Sequence, residues 1–325
     1  MKFDVIIGNP PYNDDLYIEF ILHGIKFLKP DGNMIEIVPA KWQGKGDEVN
    51  KRFRDKVIPL LKEIVNFIDT CDIWPDLQIP GGVCYFNLEN MSSNGVLVTN
   101  RCKMNKNFDG SCEQHDETEI TLLNKEIIEI INKSMKFGSI CDDVSFRRCE
   151  FVEEAEAGVA TRDSENNIEL CNGGDGRYTP AKIAGYISKY KLKTSMNIEK
   201  YKCIQGIKTA QGGRSPFDAD GLALGSNLIT VLKPYQVPKG TYQVLKYFDT
   251  EIEALSFQSV YLSKLCSFLQ LVAVVGQTQT REFWRFQPKV EKFDHIYTDM
   301  ELYDMFGLNT REREIIETTI RERKR

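Results

Sequence analysis

Asn9, Pro10, Pro11 and Tyr12 stand in a row and together offer what is needed to hold and activate an aromatic amine. Neither proline carries an N–H, so the turn presents acceptors without competing backbone donors. The Asn9 side-chain oxygen and the Pro10 carbonyl can both accept from one exocyclic amine. Two such bonds draw the nitrogen out of conjugation with its ring and free its lone pair to attack a methyl group. Tyr12 supplies a flat face on which the ring can stack. The prolines hold these groups rigidly, which is the preorganisation that catalysis rewards. An amine held in this way needs no strong general base, and no carboxylate or histidine stands in the motif. The bland reading is that Pro-Pro merely ends a strand.

The elements around the turn favour the chemical reading. Phe3 to Ile7 is a short apolar run stopped by Gly8, the pattern of a buried parallel strand. Leu16 to Leu28 has helical spacing and is closed by Pro30-Asp31-Gly32. Strands are expected at Met34 to Val38, Ile64 to Ile68 and Gly82 to Leu88, with a helix from Glu48 to Leu61. Gly95 to Thr99 is expected to pair with the Gly82 to Leu88 strand. This order is that of half a doubly wound α/β domain, with helices on both faces of a largely parallel sheet. In such sheets ligands bind beyond the carboxyl ends of the strands, where Asn9 to Tyr12 falls.

FDVIIGNPPYN resembles the catalytic motif of amino-methyltransferases that use S-adenosylmethionine. Leu28 to Gly32 with Met34 to Pro39 and Trp42, and Asp72-Ile73-Trp74-Pro75 with Gly81 to Phe86, resemble further segments of the gamma-class adenine-N6 DNA methyltransferases of type II restriction–modification systems, including the fused restriction–methylase kind. Tyr297 to Asp299, Glu301 to Tyr303 and Phe306 to Leu308 resemble that family's C-terminal helical segment. The resemblance implies a partial Rossmann-like methyltransferase sheet, a flipped adenine held by Asn9, Pro10, Pro11 and Tyr12, and Trp74 as a second stacking face. It also implies S-adenosylmethionine as methyl donor and double-stranded DNA as partner. The family's Gly-rich cofactor loop and ribose-binding acid precede the Asn-Pro-Pro-Tyr strand, and here that strand begins at Phe3. Gly173-Gly174-Asp175-Gly176, Gly212-Gly213 and Gly276 do not read as a permuted substitute. The expectation is therefore the target-amine half of the site, with a split enzyme completed by a separate chain, a fragment, or a degenerate protein as the readings.

Residues 1–105 are expected to form the catalytic half, 106–297 an α+β DNA-recognition domain and 298–325 a helical tail. Asn105 to Glu119 reads as a polar linker, Glu119 to Met135 as an amphipathic helix, and Leu255 to Val274 as one long helix. Basic and aromatic residues interleave at Tyr186 to Lys193 and at Arg281, Phe283, Trp284, Arg285 and Phe286, and Lys41, Lys45, Lys51, Arg52 and Arg54 form a third basic group. Lys41, Lys45, Arg281, Trp284 and Arg285 are the DNA-contact candidates. The bland alternative is solvated faces and core aromatics.

Composition narrows the classes. The net charge of −5 over 325 residues gives no global attraction for nucleic acid, so a DNA enzyme would need a local basic face. Nine cysteines lie scattered with no CxxC pair, as reduced thiols in a cytoplasmic protein without a metal site. His23, His115 and His295 are isolated. No signal peptide or membrane span is evident, and no nuclease constellation accompanies the motif. A catalytically inactive DNA-binding or specificity module, and a protein-glutamine or RNA methyltransferase, remain alternatives.

Overall fold

The computed structural model of the chain describes residues 1–43, 48–77, 79, 81–93, 95–114, 124–174, 179–207, 217, 222–223, 228–273 and 281–321. The chain divides into two compact units. The first holds residues 1–130 with 211–223 and 272–277, and the second holds the rest.

The first unit is built on a six-stranded sheet. Its elements are β1 (Phe3–Gly8), α1 (Leu16–Ile25), β2 (Leu28–Pro39), α2 (Glu48–Val57), β3 (Leu61–Phe67), β4 (Val83–Glu89), β5 (Val96–Arg101) and β6 (Gly110–Gln114). The strand order is β1-β2-β4-β3-β5-β6. β1 runs parallel to β2, with Ile6 opposite Met34 and Gly8 opposite Glu36. β4 is antiparallel to both β2 and β3, and β3 is parallel to β5. β1, β2, β3 and β5 therefore all point the same way, and their carboxyl ends share one end of the sheet.

The core explains the packing. α1 buries Tyr17, Ile18 and Ile21, and α2 contributes Phe53 and Val57, against Met34, Val38, Ile64, Phe86 and Leu88 of the sheet. Trp42 joins them, edge-on to Phe53 at 5.1 Å and to Phe86 at 6.1 Å. Each such side chain removed from water contributes about 1.5–3 kcal/mol.

Several expectations change here. The sheet is mixed rather than largely parallel, because β4 and β6 run against their neighbours. Both α1 and α2 join the same core, so they cover one face and not two. β1 is an edge strand rather than a buried one, with Phe3, Val5 and Ile7 exposed to 43%, 52% and 73%. β5 pairs with β3 and not with β4. The Pro30-Asp31-Gly32 turn is absorbed into β2 as an irregularity between the Phe3–Leu28 and Val5–Asn33 pairs, with Asp31 at φ 64°. The expected linker carries β6.

Helix α3 (Lys125–Ser134) crosses from the first unit into the second. The second unit holds β7 (Arg147–Arg148), β8 (Ile168–Asn172), β9 (Lys182–Ile187), β10 (Tyr201–Gly206), β11 (Ile229–Leu232), β12 (Gln236–Pro238) and β13 (Tyr242–Phe248). They form a four-stranded sheet in the order β11-β10-β13-β7 and a three-stranded sheet in the order β12-β8-β9. Helices α4 (Glu251–Tyr261), α5 (Lys264–Ala273), α6 (Asp299–Met305) and α7 (Thr310–Glu317) follow. The expected long helix is thus two, broken at Leu262 and Ser263. Capping boxes at Thr250/Glu253, Thr298/Glu301 and Asn309/Glu312 set the starts of α4, α6 and α7. Glu312 is buried and held by Lys133 at 2.7 Å, so α7 is not a wholly solvated face. Among the described residues no helix is long and apolar enough to cross a membrane.

Candidate active site

The turn after β1 is shaped by its neighbours as well as by its prolines. Asn9 and Pro11 are exposed, while Pro10 and Tyr12 are half-buried. The Tyr12 hydroxyl donates to the Ile37 carbonyl of β2 at 3.3 Å. Burial, with Cys84 adding to it, holds the phenol above its ordinary value, so Tyr12 is a neutral ring near neutral pH. The chain then reverses through Asp14 and Asp15, both left-handed at φ 48° and 61°. For residues with a Cβ this conformation costs about 1–2 kcal/mol each. The Asp15 carboxylate is paired with Lys41 at 2.5 Å, which fixes the reversal to the segment after β2.

Trp74 belongs to the loop after β3, at the same end of the sheet. Its backbone N–H donates to the Thr70 carbonyl at 2.8 Å, and the Thr70 hydroxyl donates to the Leu77 carbonyl at 2.7 Å. The loop returns through Gly82, whose N–H donates to the Ile79 carbonyl at 3.0 Å and whose carbonyl accepts from Ala40 at 3.1 Å. Gly81 and Gly82 take φ values of 83° and 77°. The Gly-Gly pair therefore serves geometry: it lets β4 start against the ends of β2 and β3. Trp74 itself is half-buried.

Beneath these loops lies a chain of buried amides that no sequence motif marks. The Gln43 amide donates to Asn66 Oδ1 at 2.6 Å, and the Asn66 amide donates to Asn100 Oδ1 at 3.1 Å. These residues come from the segment after β2, from β3 and from β5, so the bonds fix three strand ends to one another. Glu36, also unanticipated, is buried on β2 opposite Gly8. The available signal was a polar residue at an inward strand position: Glu36 between Met34 and Val38, and Asn66 two places after Ile64.

The basic candidates fare differently. Lys41 is exposed at the loop end of the sheet and paired with Asp15. Lys45 lies outside the described residues. Lys51 and Arg52 are exposed on α2, whereas Arg54 is buried and donates to the Trp42 carbonyl at 3.1 Å. In the second unit Arg281 is exposed, pairs with Asp142 at 3.2 Å and lies over the Phe146 ring. Trp284 is fully buried, donates to Gln205 Oε1 at 3.1 Å and is stacked with Phe257 at 6.2 Å. That is a core position, which leaves no ring face for a nucleic-acid contact. Arg285 is half-buried, with its guanidinium over the Phe286 ring at 4.6 Å. Thr278 to Thr280 lie outside the described residues. Tyr190, by contrast, is 83% exposed beside Lys189.

No family model matches the chain. A protein of Mycoplasma pneumoniae (strain ATCC 29342 / M129 / Subtype 1) described as an uncharacterized adenine-specific methylase is 35% identical over 115 residues. That match covers 31% of this chain and 27% of the relative, so the chain spans about a quarter of its length. Among solved structures, the M protein of the type I restriction enzyme EcoKI is 17% identical, with a TM-score of 0.25, over 30% of this chain and 25% of its own. The ATP-dependent type ISP restriction-modification enzyme LlaBIII bound to DNA is 8% identical, with a TM-score of 0.38, over 93% of this chain and 29% of its own.

Proposed function

We propose that the chain carries the target-holding part of an S-adenosylmethionine-dependent adenine-N6 DNA methyltransferase of a restriction–modification system. The observation that carries this reading is the placement of Asn9-Pro10-Pro11-Tyr12 at the carboxyl end of β1, at the sheet end that also bears the Trp74 loop and Lys41. Asn9 Oδ1 and the Pro10 carbonyl accept from the adenine amine, which turns its lone pair toward an incoming methyl group. Tyr12 and Trp74 replace the stacking that a flipped base loses. Lys41 at the loop end of the sheet, with Lys51 and Arg52 exposed on α2, is the basic group offered to phosphates. In the second unit Arg281 and Tyr190 are the exposed candidates for DNA contact. The likeness to the Mycoplasma methylase supports the same substrate class.

The donor side is different. Gly173 and Gly174 follow β8, but a Cβ at Gly173 would meet Tyr242 at 2.7 Å, and one at Gly174 would meet the Thr179 carbonyl at 2.5 Å. The Gly174 N–H is also already taken by the Thr230 hydroxyl at 2.9 Å. Gly176, Gly212, Gly213 and Gly276 lie outside the described residues. Among the described residues no loop fits a cradle for S-adenosylmethionine. The reading is therefore that a further segment, on this polypeptide or on another, supplies donor binding. The open outer edge of β1, with Ile7 73% exposed, is the support for that completion.

The test is transfer of a labelled methyl group from S-adenosylmethionine to duplex DNA by the full chain, with and without a donor-binding segment, and with digestion to identify N6-methyladenine. Asn9→Ala is expected to lower the rate at least about a hundredfold with the fold intact, the loss seen when one preorganised polar partner is removed. Near-normal transfer by that variant would overturn the reading. Label in protein glutamine or RNA would move the substrate to another class. Tight, salt-sensitive DNA binding without donor binding or transfer would leave a specificity module.

A further inference from the structure

Thr70 stands just past the end of β3 and is 2% exposed. Its hydroxyl is used twice: it donates to the Leu77 carbonyl at 2.7 Å and accepts from the Ile79 N–H at 3.0 Å. A hydroxyl can do both because it carries a donor and acceptor lone pairs. Its carbonyl is also used twice, accepting from the backbone N–H of Ile73 at 3.0 Å and of Trp74 at 2.8 Å. Bonds from this one residue therefore reach Ile73, Trp74, Leu77 and Ile79, both limbs of the Trp74 loop.

The residues beside Thr70 are fixed in the same manner. Asp69 Oδ1 accepts from the Cys71 N–H at 2.9 Å. Asp72 Oδ2 accepts from the Lys103 N–H at 2.9 Å, and Lys103 Nζ donates to the Asp72 carbonyl at 2.6 Å, which ties the loop to the segment after β5. Ile73, Pro75, Asp76 and Leu77 are exposed, so hydrogen bonds more than burial hold the tip.

We propose that Thr70 is the positioning residue for Trp74: its hydroxyl keeps the loop closed and so holds the indole where an extruded base can stack. This rests on the reading of Trp74 as a stacking face given above. In this role Thr70 acts through the loop and touches neither the base nor a reacting atom. Both partners of its hydroxyl belong to the loop, so the strands of the sheet do not depend on those bonds. Without the hydroxyl the loop spends part of its time open, and affinity for the base falls by the fraction that remains closed. Loss of two ordinary hydrogen bonds sets that fall at about tenfold.

The test uses the full chain and needs no methyl donor. The probe is a DNA duplex with 2-aminopurine opposite an abasic site, where extrusion costs least and needs no recognition sequence. Stacking on an aromatic ring quenches the fluorescence of 2-aminopurine, and anisotropy of a dye at the duplex end reports overall binding. Trp74→Ala should remove most of the quenching. Thr70→Val keeps the size of the side chain and removes the hydroxyl. It should raise the half-saturation for quenching about tenfold with anisotropy unchanged. Thr70→Ser keeps the hydroxyl and should quench as the wild type does.

If Thr70→Val quenches like the wild type while Trp74→Ala does not, this proposal falls and the reading of Trp74 stands. If the wild type does not quench, or Trp74→Ala quenches equally well, that reading falls and the proposal with it. Equal loss of quenching and anisotropy in Thr70→Val, or no recovery in Thr70→Ser, overturns the proposal as well. Where circular dichroism shows Thr70→Val unfolded, hydrogen exchange at the wild-type Ile79 amide decides. Protection there supports closure by the Thr70 hydroxyl, and exchange at the rate of an unfolded chain overturns it.

Discussion

The Ala40 N–H donates to the Gly82 carbonyl at 3.1 Å and so joins the end of β2 to the start of β4. This bond links the two halves of the candidate site. On one side Tyr12 reaches the Ile37 carbonyl, three residues before Ala40. On the other, Gly82 receives the loop that carries Trp74 through its bond to Ile79. The two proposed stacking rings are thus tied to joined strand ends, Tyr12 through its own hydroxyl and Trp74 through the main chain of its loop.

Gly82→Ala should break this link. Gly82 has φ 77°, and an added Cβ would press on the Phe67 carbonyl. The cost combines left-handed strain with a backbone clash, on the order of 1–3 kcal/mol or more. Denaturant unfolding of Gly82→Ala beside Gly138→Ala is the check. Gly138 also has positive φ but nothing within 4 Å of its Cβ position, so it reports strain without the clash. Equal losses in the two variants would mean that the Phe67 contact relaxes at no cost.

Trp284 gives a prediction of the opposite kind. Its ring sits among Phe257, Tyr261 and Phe146, and its N–H is satisfied by Gln205. Trp284→Ala should lower stability by about 3–5 kcal/mol, as large-to-small core changes do. Trp284→Phe should lose less. DNA affinity measured on whatever fraction remains folded should be close to wild type. Weakened binding with stability intact would return Trp284 to the DNA-contact candidates.

Much of the first unit was legible because local signals agreed there. An apolar run stopped by Gly8 marks β1 and one opened by Gly82 marks β4, and Asn9 to Tyr12 is contiguous, so its chemistry can be read without knowing the fold. Pairing was not legible. β5 lies beside β3 because β4 turns back between β2 and β3, a long-range choice that no local pattern encodes. Exposure of β1 was hidden for a related reason: a buried central strand and an apolar edge strand have the same composition. That Trp284 belongs to the core was not legible either, because alternating basic and aromatic residues suit a nucleic-acid groove and a core margin equally well. Glu36 meets Gly8 from a neighbouring strand, so the motif alone gave no sign of it.

Burial of Glu36 raises its carboxyl, and this has a consequence for stability. The folded state binds this proton more tightly than the unfolded chain does, with a value of about 7 against an ordinary 4.5. The stabilisation from the protonated group is fully present below the unfolded value and is lost as pH rises through about 7. The loss should be roughly 1–3 kcal/mol over that window, since a tenfold change in proton affinity is worth about 1.4 kcal/mol. Denaturant unfolding of the wild type and Glu36→Gln from pH 4.5 to about 8 isolates it. The variant cannot ionise, so the wild type should lose stability relative to it as pH rises, mostly between the two values. Other titrating groups are shared by both proteins and cancel in the difference. A difference that does not change with pH would show that the carboxyl is solvated in the folded protein, and the close fit against Gly8 would then be lost in solution.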